Sequence, residues 1–182
     1  MPLAPVYRRA PRRSGGHHGR VRLALVADTH LPRGQRRLPD ACLARLREAD
    51  LIVHAGDFVA VDVLELLEAL GPPVVGVHGN VDAPEVRRRL PAEAWVDAGG
   101  ARIVVIHDAG PARDRLARLR RRFPEADAVV FGHSHVPLHK EQDGFQIFNP
   151  GSPTDRRRQP HHTMGVAQAA GGRVAFELVR LD

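Results

Sequence analysis

The sequence is poor in cysteine and in aromatic side chains, and it lacks long apolar runs. Cys42 is the single cysteine among 182 residues, which excludes an internal disulfide and predicts a reducing, cytoplasmic location. No apolar run approaches the roughly 20 residues that a membrane-spanning helix needs, so no membrane partner is predicted. Aromatic residues make up 4% of the chain, which leaves few side chains on which single-stranded bases could stack.

Acidic residues are outnumbered by basic ones, and most of the excess lies at the N-terminus. The formal net charge is +6, from 27 Lys and Arg against 21 Asp and Glu. Residues 1–20 contain five Arg and no acidic residue, and they are rich in Pro and Gly. We therefore predict a disordered basic extension over 1–20 and one nearly neutral domain over 21–182. Nucleic-acid binding through this extension is a disfavoured alternative.

From residue 21 onward, short apolar runs alternate with amphipathic segments. Apolar spacing predicts helices over 39–49, 61–70 and 111–123. After residue 131, strands joined by tight turns are expected, with turn signals at Asp143-Gly144 and Gly171-Gly172. The predicted class is α/β (α+β), with a mixed sheet or a two-sheet sandwich and helices outside. Runs rich in β-branched residues predict buried strands over 21–27, 51–55, 73–78, 101–107 and 127–131.

Polar side chains that could bind metal end or follow each of these five predicted strands. Because ligands gather outside the carboxyl ends of strands in open α/β sheets, we expect the side chains to meet at one rim. Two carboxylates, one amide and four imidazoles suit two divalent ions that share a bridging carboxylate. The absence of thiolate favours Mn, with Ni, Fe, Co or Zn as alternatives. The predicted donors are Asp28, His30, Asp57, Asn80, His107, His133 and His135.

The order of these motifs resembles that of the calcineurin-like metallophosphoesterase superfamily. The family signature of D-x-H, G-D, G-N, a lone His and G-H-x-H is matched between Asp28 and His135. The short length and the 149–152 motif, NPGS, are similar to the small bacterial and archaeal phosphodiesterase branch. That branch is related in fold to a retromer subunit. The resemblance implies a two-sheet β-sandwich with helices on both outer faces (αββα).

The resemblance also implies an activity and a division of the donors. A metal-bridging hydroxide held by Asp57, with Asn80 also facing the phosphate, would attack phosphorus in line. The substrate would be a small phosphoester, and both a monomer and a dimer stay open. The implied ligands are three residues for each ion and one bridge: Asp28, His30 and His135; Asn80, His107 and His133; and Asp57.

Other polar residues have more ordinary interpretations. Asp82 is predicted to cap the segment 84–90, His54 to be a packed or backbone-bonded histidine, and Asp108 to be a turn residue. Arginines that follow the NPGS motif could contact a phosphate group of the substrate. These candidate substrate contacts are Arg156, Arg157 and Arg158.

Two other functions stay open beside the phosphodiesterase. A non-catalytic metal-binding interaction scaffold on the same fold would be expected to lose ligand histidines, whereas every donor position is filled here. A nuclease aided by the basic extension is disfavoured by the nearly neutral domain and by the lack of stacking residues. The donor set therefore favours the enzyme.

The residue after the Gly79-Asn80 pair limits which leaving groups are expected to depart. Many larger family members have His at this position, placed to protonate the leaving oxygen, whereas this chain has Val81. Because valine has no proton to donate, we predict faster turnover of activated aryl diesters than of alkyl monoesters. Steady-state assays on both substrates measure this difference. Robust alkyl-monoesterase activity with a simple aryl diester untouched would contradict the prediction.

Overall fold

Helices lie between most of the strands in the first two-thirds of the chain, and strands alone follow. The computed structural model describes residues 6–9 and 19–182. The helices are α1 Asp40–Glu48, α2 Val61–Glu68, α3 Pro84–Arg89 and α4 Arg115–Arg122. The strands are β1 Val6–Arg9, β2 Val21–Val26, β3 Leu51–His54, β4 Val74–Gly76, β5 Glu93–Ala98, β6 Ala101–Ile106, β7 Ala128–Val130, β8 Leu138–Gln142, β9 Phe145–Asn149, β10 Thr163–Ala170 and β11 Arg173–Arg180.

These strands form two mixed sheets. One sheet has five strands in the order β11-β10-β2-β3-β4, and the other has six in the order β1-β5-β6-β7-β9-β8. Within the first, β2, β3 and β4 run parallel. Within the second, β6, β7 and β9 run parallel. All five strands predicted as buried apolar runs are thus parallel members of one sheet or the other, and their carboxyl ends lie at the same rim of the sandwich.

Apolar side chains form three layers, one between the sheets and one on each outer face. On β2, Leu23 and Leu25 point into the layer between the sheets, while Ala24 and Val26 point toward α1, α2 and α3. The outer face of the six-stranded sheet packs against α4 through Leu119. Burial on both faces explains why these strands read as near-continuous apolar runs. The predicted αββα sandwich is confirmed.

The sequence prediction contains no strand at β5, and it gives the region of α3 only as a segment that Asp82 would cap. β5 alternates buried and half-buried residues, which is the period of a strand with one face on the core. It joins β6 through Gly99 and Gly100, whose φ values of 57° and 85° suit a tight hairpin turn. The short helix α3 follows β4 and begins with Pro84 at its first turn.

At Val6–Arg9 the structure differs from the predicted disorder. These residues form β1, which pairs in parallel with β5, with Val6 opposite Ala94 and Arg9 opposite Asp97. The unpaired edge of β5 offers N–H and C=O groups that a further strand satisfies. The rest of the predicted extension before Gly19 lies outside the described residues. Among the helices that the structure describes, none is both long and apolar enough to cross a membrane.

Replacing Phe148 by alanine should strongly destabilise the fold. Phe148 is fully buried between the sheets, and its ring stacks on Phe176 with centroids 4.7 Å apart. We expect Phe148→Ala to lower the free energy of unfolding by about 3–5 kcal/mol. The control Leu66→Ala changes a side chain that is 46% exposed and should cost about 0.5 kcal/mol or less. Urea unfolding measures both, and similar losses in the two variants would contradict the assigned core.

Candidate metal centre

The seven predicted donors lie together at the rim where the parallel strands end. Five of them are at most 6% exposed, namely Asp28, His30, Asp57, His107 and His135. The other two, Asn80 and His133, are exposed. The group is therefore buried on one side and opens to solvent on the side of Asn80 and His133.

Asp28, His30 and His135 form the first donor group. The Nε2 atoms of His30 and His135 are 3.1 Å apart, and His135 Nε2 lies 3.7 Å from Asp28 Oδ1. Burial raises the pKa of Asp28 to about 7. Asp28 Oδ2 has no hydrogen-bond partner among the described residues, and an orphaned buried oxygen is costly. A divalent cation would supply that partner, so the group fits a metal ion.

Asn80, His107 and His133 form the second donor group. Asn80 Oδ1 lies 3.0 Å from His107 Nε2 and 2.9 Å from His133 Nδ1. Those two ring nitrogens are 3.3 Å apart. One amide oxygen and two imidazole nitrogens thus converge on one point, a combination that suits several first-row divalent ions.

The carboxylate of Asp57 lies between the two groups. Its Oδ2 is 3.6 Å from His30 Nε2, and its Oδ1 is 3.3 Å from His107 Nε2. Burial would raise the pKa of Asp57, but the hydrogen bond and charge of His107 outweigh burial and lower it to about 2. Burial would lower the pKa of His107, but the hydrogen bond and charge of Asp57 are among the interactions that outweigh burial and raise this pKa. Asp57 is therefore ionised, with one oxygen toward each group.

Backbone carbonyls determine which ring nitrogen of two donors is available. His107 Nδ1 donates to the carbonyl oxygen of Ala55 at 2.8 Å, and His135 Nδ1 donates to that of Asp155. Because a carbonyl oxygen only accepts, Nδ1 of each ring carries a proton, so Nε2 is the nitrogen whose lone pair becomes available when the ring is neutral. Burial lowers the pKa of His135 to about 4. His135 is therefore neutral, which is the form that binds metal.

Asp82 supports the site rather than capping a helix. Its carboxylate accepts backbone N–H groups from Asp57 at 3.2 Å, Val59 at 2.6 Å and Gly79 at 2.6 Å. Helix α3 begins after Ala83 without a side-chain cap, so the predicted capping role is wrong. A capping pattern is local, whereas two of these donors lie 23 and 25 residues away in the chain.

His54 lies beneath the donors and joins the loops after β2 and β3. Its Nδ1 accepts the N–H of Gly56 at 3.1 Å, so its Nε2 donates to Thr29 Oγ1, also at 3.1 Å. Its ring stacks on Phe58 with centroids 3.5 Å apart. Burial lowers the pKa of His54 to about 3. The predicted packed and backbone-bonded histidine is confirmed.

The NPGS motif fastens the β9–β10 loop to two donor loops. Asn149 Nδ2 donates to the carbonyl oxygen of Gly132 at 2.9 Å, and Ser152 Oγ donates to that of Asp28 at 2.8 Å. Thr154 Oγ1 makes a similar bond to Thr29. Thr154 was not singled out from the sequence, because no local signal marks a bond that spans 125 residues.

At two positions beside the donors, neighbouring atoms lie so close to the backbone that only glycine fits. A Cβ on Gly79 would lie 2.0 Å from Asp57 Oδ1, and one on Gly132 would lie 2.9 Å from the carbonyl oxygen of Ala55. The left-handed backbone expected for glycine is instead adopted by five donors. Their φ values are 54° for Asp28, 46° for His30, 62° for Asp57, 69° for His133 and 57° for His135.

Of the three predicted substrate arginines, Arg157 is the one whose charge reaches the site. Burial is the largest cause of the pKa shifts of Asp28, His30 and His135. The charge of Arg157 is a smaller cause, and it lowers all three pKa values. Arg156 instead donates to the carbonyl oxygen of Gln159. Arg158 is exposed.

Asp108 directly follows the donor His107 and is a turn residue, as predicted. It is exposed, and its Oδ1 accepts the N–H of Gly110 at 2.7 Å. Gly110 supplies the positive φ of the turn, 69°. The acidic side chain therefore stabilises the loop.

With this geometry in place, the family can be assigned. Residues 21–172 match the family model of the calcineurin-like phosphoesterase superfamily domain. The chain belongs to this superfamily. It is 32% identical over 160 residues to a protein of Methanothermobacter thermautotrophicus named as a probable metallophosphoesterase, covering 87% of this chain and 91% of that one.

Two further similarities concern an enzyme and a fold. A protein of Methanocaldococcus jannaschii named as a phosphodiesterase is 20% identical over 148 residues, or 72% of this chain and 83% of that one. The structure of Vacuolar Protein Sorting 29 from Cryptosporidium parvum is similar with a TM-score of 0.73 and 19% identity, covering 88% and 97% of the two chains. The latter likeness concerns the fold alone. The superfamily and the clustered donors together support a phosphoester hydrolase that binds divalent metal ions.

Asp82→Asn should weaken metal binding although Asp82 is not itself among the predicted ligands. The amide keeps one acceptor oxygen for three N–H donors, so we expect a loss of about 1–3 kcal/mol in stability. Displacement of the Asp57 and Gly79 loops should lower Mn²⁺ affinity by about 10–100-fold. Titration calorimetry and urea unfolding measure the two effects. The control Glu48→Gln changes an exposed carboxylate of α1 and should alter neither. Unchanged Mn²⁺ affinity in Asp82→Asn would refute this supporting role.

Proposed function

We propose that the protein is a phosphodiesterase that uses two divalent metal ions, one in each donor group, with Asp57 as the shared ligand. The observation that carries this proposal is the position of Asp57, whose two oxygens lie 3.6 Å from His30 Nε2 and 3.3 Å from His107 Nε2. A carboxylate between the two donor groups could serve as a ligand to an ion in each of them. Oxygen and nitrogen donors without thiolate suit Mn²⁺ first, and Ni²⁺, Fe²⁺, Co²⁺ and Zn²⁺ also fit.

The donors at the solvent side would receive the substrate phosphate. When bound, the two ions would supply a hydroxide nucleophile at neutral pH and neutralise negative charge on the phosphate. Asn80 and His133 are exposed at the opening of the site. Asn80 Oδ1 faces the two histidines of its group, which leaves Nδ2 to donate to a phosphate oxygen. The carboxylate of Asp57 stays buried behind them.

The residue at position 81 favours substrates with good leaving groups. The Val81 side chain is 40% exposed at the mouth of the site, where it has no proton to transfer. Its backbone N–H donates to Asp57 Oδ1 at 3.1 Å, so this residue helps to orient the carboxylate instead. A phosphodiester with a stable aryloxide leaving group suits this site better than an alkyl monoester, whose alkoxide needs a proton to depart.

A non-catalytic scaffold is the alternative that the experiment must separate from the enzyme. The fold is shared with a protein named for vacuolar protein sorting, so the fold by itself does not imply hydrolysis. Metal content and a panel of aryl and nucleotide phosphoesters, assayed with Mn²⁺, Ni²⁺, Co²⁺ and Zn²⁺, distinguish the two functions. A folded protein that binds metal but hydrolyses no phosphoester with any ion would favour the scaffold.

Asp57→Asn should abolish activity because it weakens the binding of both ions at once. We expect kcat/KM for an aryl diester to fall by at least about 100-fold, and the metal content to fall below the expected two ions per chain. Steady-state kinetics and elemental analysis measure these changes. The matched control Asp62→Asn alters an exposed carboxylate at the start of α2 and should keep activity within about twofold. Full activity in Asp57→Asn would refute the bridging role.

A further inference from the structure

Two arginine-bearing loops lie side by side next to the first donor group. The loop between β2 and α1 carries Arg33, three residues after the donor His30, and the loop between β9 and β10 carries Arg157. An ion pair joins the two loops, with Arg36 Nη1 3.2 Å from Asp155 Oδ2. The loops are therefore held at a defined separation, on the side of the site that contains His30.

The charges of Arg33 and Arg157 act on the same donor. Burial is the largest cause of the lowered pKa of His30, and the charges of Asp57 and Asp155 oppose it. The charges of both guanidinium groups are smaller causes that lower this pKa further. Arg157 also acts on His135. Arg33 lies three residues after the donor His30, and the carbonyl oxygen of Asp155, two residues before Arg157, accepts a hydrogen bond from the donor His135. Both arginines therefore lie on loops that contact the first donor group.

Neither guanidinium is engaged by an acidic side chain of the described chain. Arg33 and Arg157 are exposed, and no ion pair of either is found within residues 19–182. Arg87, on the other side of the site, is by contrast already engaged, since it donates to the carbonyl oxygens of Asn80 and Asp82. Two unpaired guanidinium groups beside a phosphate-binding centre are suited to a further phosphate, which arginine binds with paired N–H donors.

We propose that Arg33 and Arg157 form a binding site for a second phosphate group of the substrate, on the His30–His135 side of the metal centre. This inference rests on the proposed function, because it names the substrate class of the same site: a phosphodiester that carries a further phosphate. The Arg36–Asp155 ion pair positions both loops before the substrate arrives, which reduces the ordering cost of binding.

Binding of two matched nucleotides tests this site independently of turnover. We expect the Mn²⁺-loaded protein to bind thymidine 3′,5′-bisphosphate about tenfold tighter than thymidine 5′-monophosphate. In Arg33→Gln or Arg157→Gln this preference should fall to about threefold or less, and in the double variant it should vanish. Calorimetry measures both affinities.

The control variant for this experiment is Arg47→Gln. Arg47 is exposed in the last turn of α1. This turn directly precedes β3, so Arg47 lies near the amino ends of the parallel strands, whereas the donors lie at their carboxyl ends. The substitution removes the same charge and should keep the preference. Equal affinities for the two nucleotides in the wild-type protein, or an unchanged preference in the double variant, would overturn the proposal.

Hydrolysis of three p-nitrophenyl esters of thymidine 5′-phosphate identifies the source of the second phosphate. The esters differ at the 3′ position. The first carries a hydroxyl there, the second a phosphate, and the third a phosphate joined to a second nucleoside. Higher kcat/KM for the second ester alone supports a small bisphosphate substrate, and higher values for the second and third esters support a nucleic-acid strand. If no ester is hydrolysed while the binding preference persists, the proposed phosphodiesterase activity fails and the arginine site stands.

Discussion

The rest of this structure depends on holding one carboxylate between two sheets. Asp57 follows β3 of the five-stranded sheet, and its oxygens face His30 from the same sheet and His107 from the six-stranded sheet. The sandwich must therefore bring the carboxyl ends of both sheets together to within hydrogen-bonding range. The apolar layer between the sheets does this, because its close packing leaves the two rims little freedom to shift relative to one another.

The site is held in a conformation that the local sequence alone would not adopt. Five donors have a left-handed backbone, and so does the β-branched Val59, with a φ of 86°. Such residues cost roughly 1–3 kcal/mol each and persist only where the surroundings constrain them. Asp82, His54 and the NPGS motif supply that constraint through hydrogen bonds to the loops that carry the donors. Much of the polar chemistry around the site is therefore support for the donors.

The candidate metal centre lies at this rim, whereas the fold around it is more widely shared. The chain belongs to the calcineurin-like phosphoesterase superfamily, and its fold also matches a protein named for vacuolar protein sorting. The proposed activity depends on the complete donor set and on the charge around it. Arg87 and Arg156 bind backbone carbonyls, whereas Arg33 and Arg157 are exposed on loops that contact the first donor group.

The sequence by itself determined the five buried parallel strands, the order of the motifs and the residue types of the site. A near-continuous apolar run indicates a strand that is buried on both faces, and a polar residue after the run indicates the end of that strand. Both signals lie within a few consecutive residues, so they can be recognised without the tertiary structure. Tertiary structure decided the role of Asp82, which binds a loop 25 residues away, and the contact of Ser152 with Asp28 across 124 residues. It also decided that β1 pairs with β5 and that the charge of Arg157 contributes to the lowered pKa of His30 and His135. Hydrogen bonds and charges act through space, and distance in space is set only when the two sheets have packed.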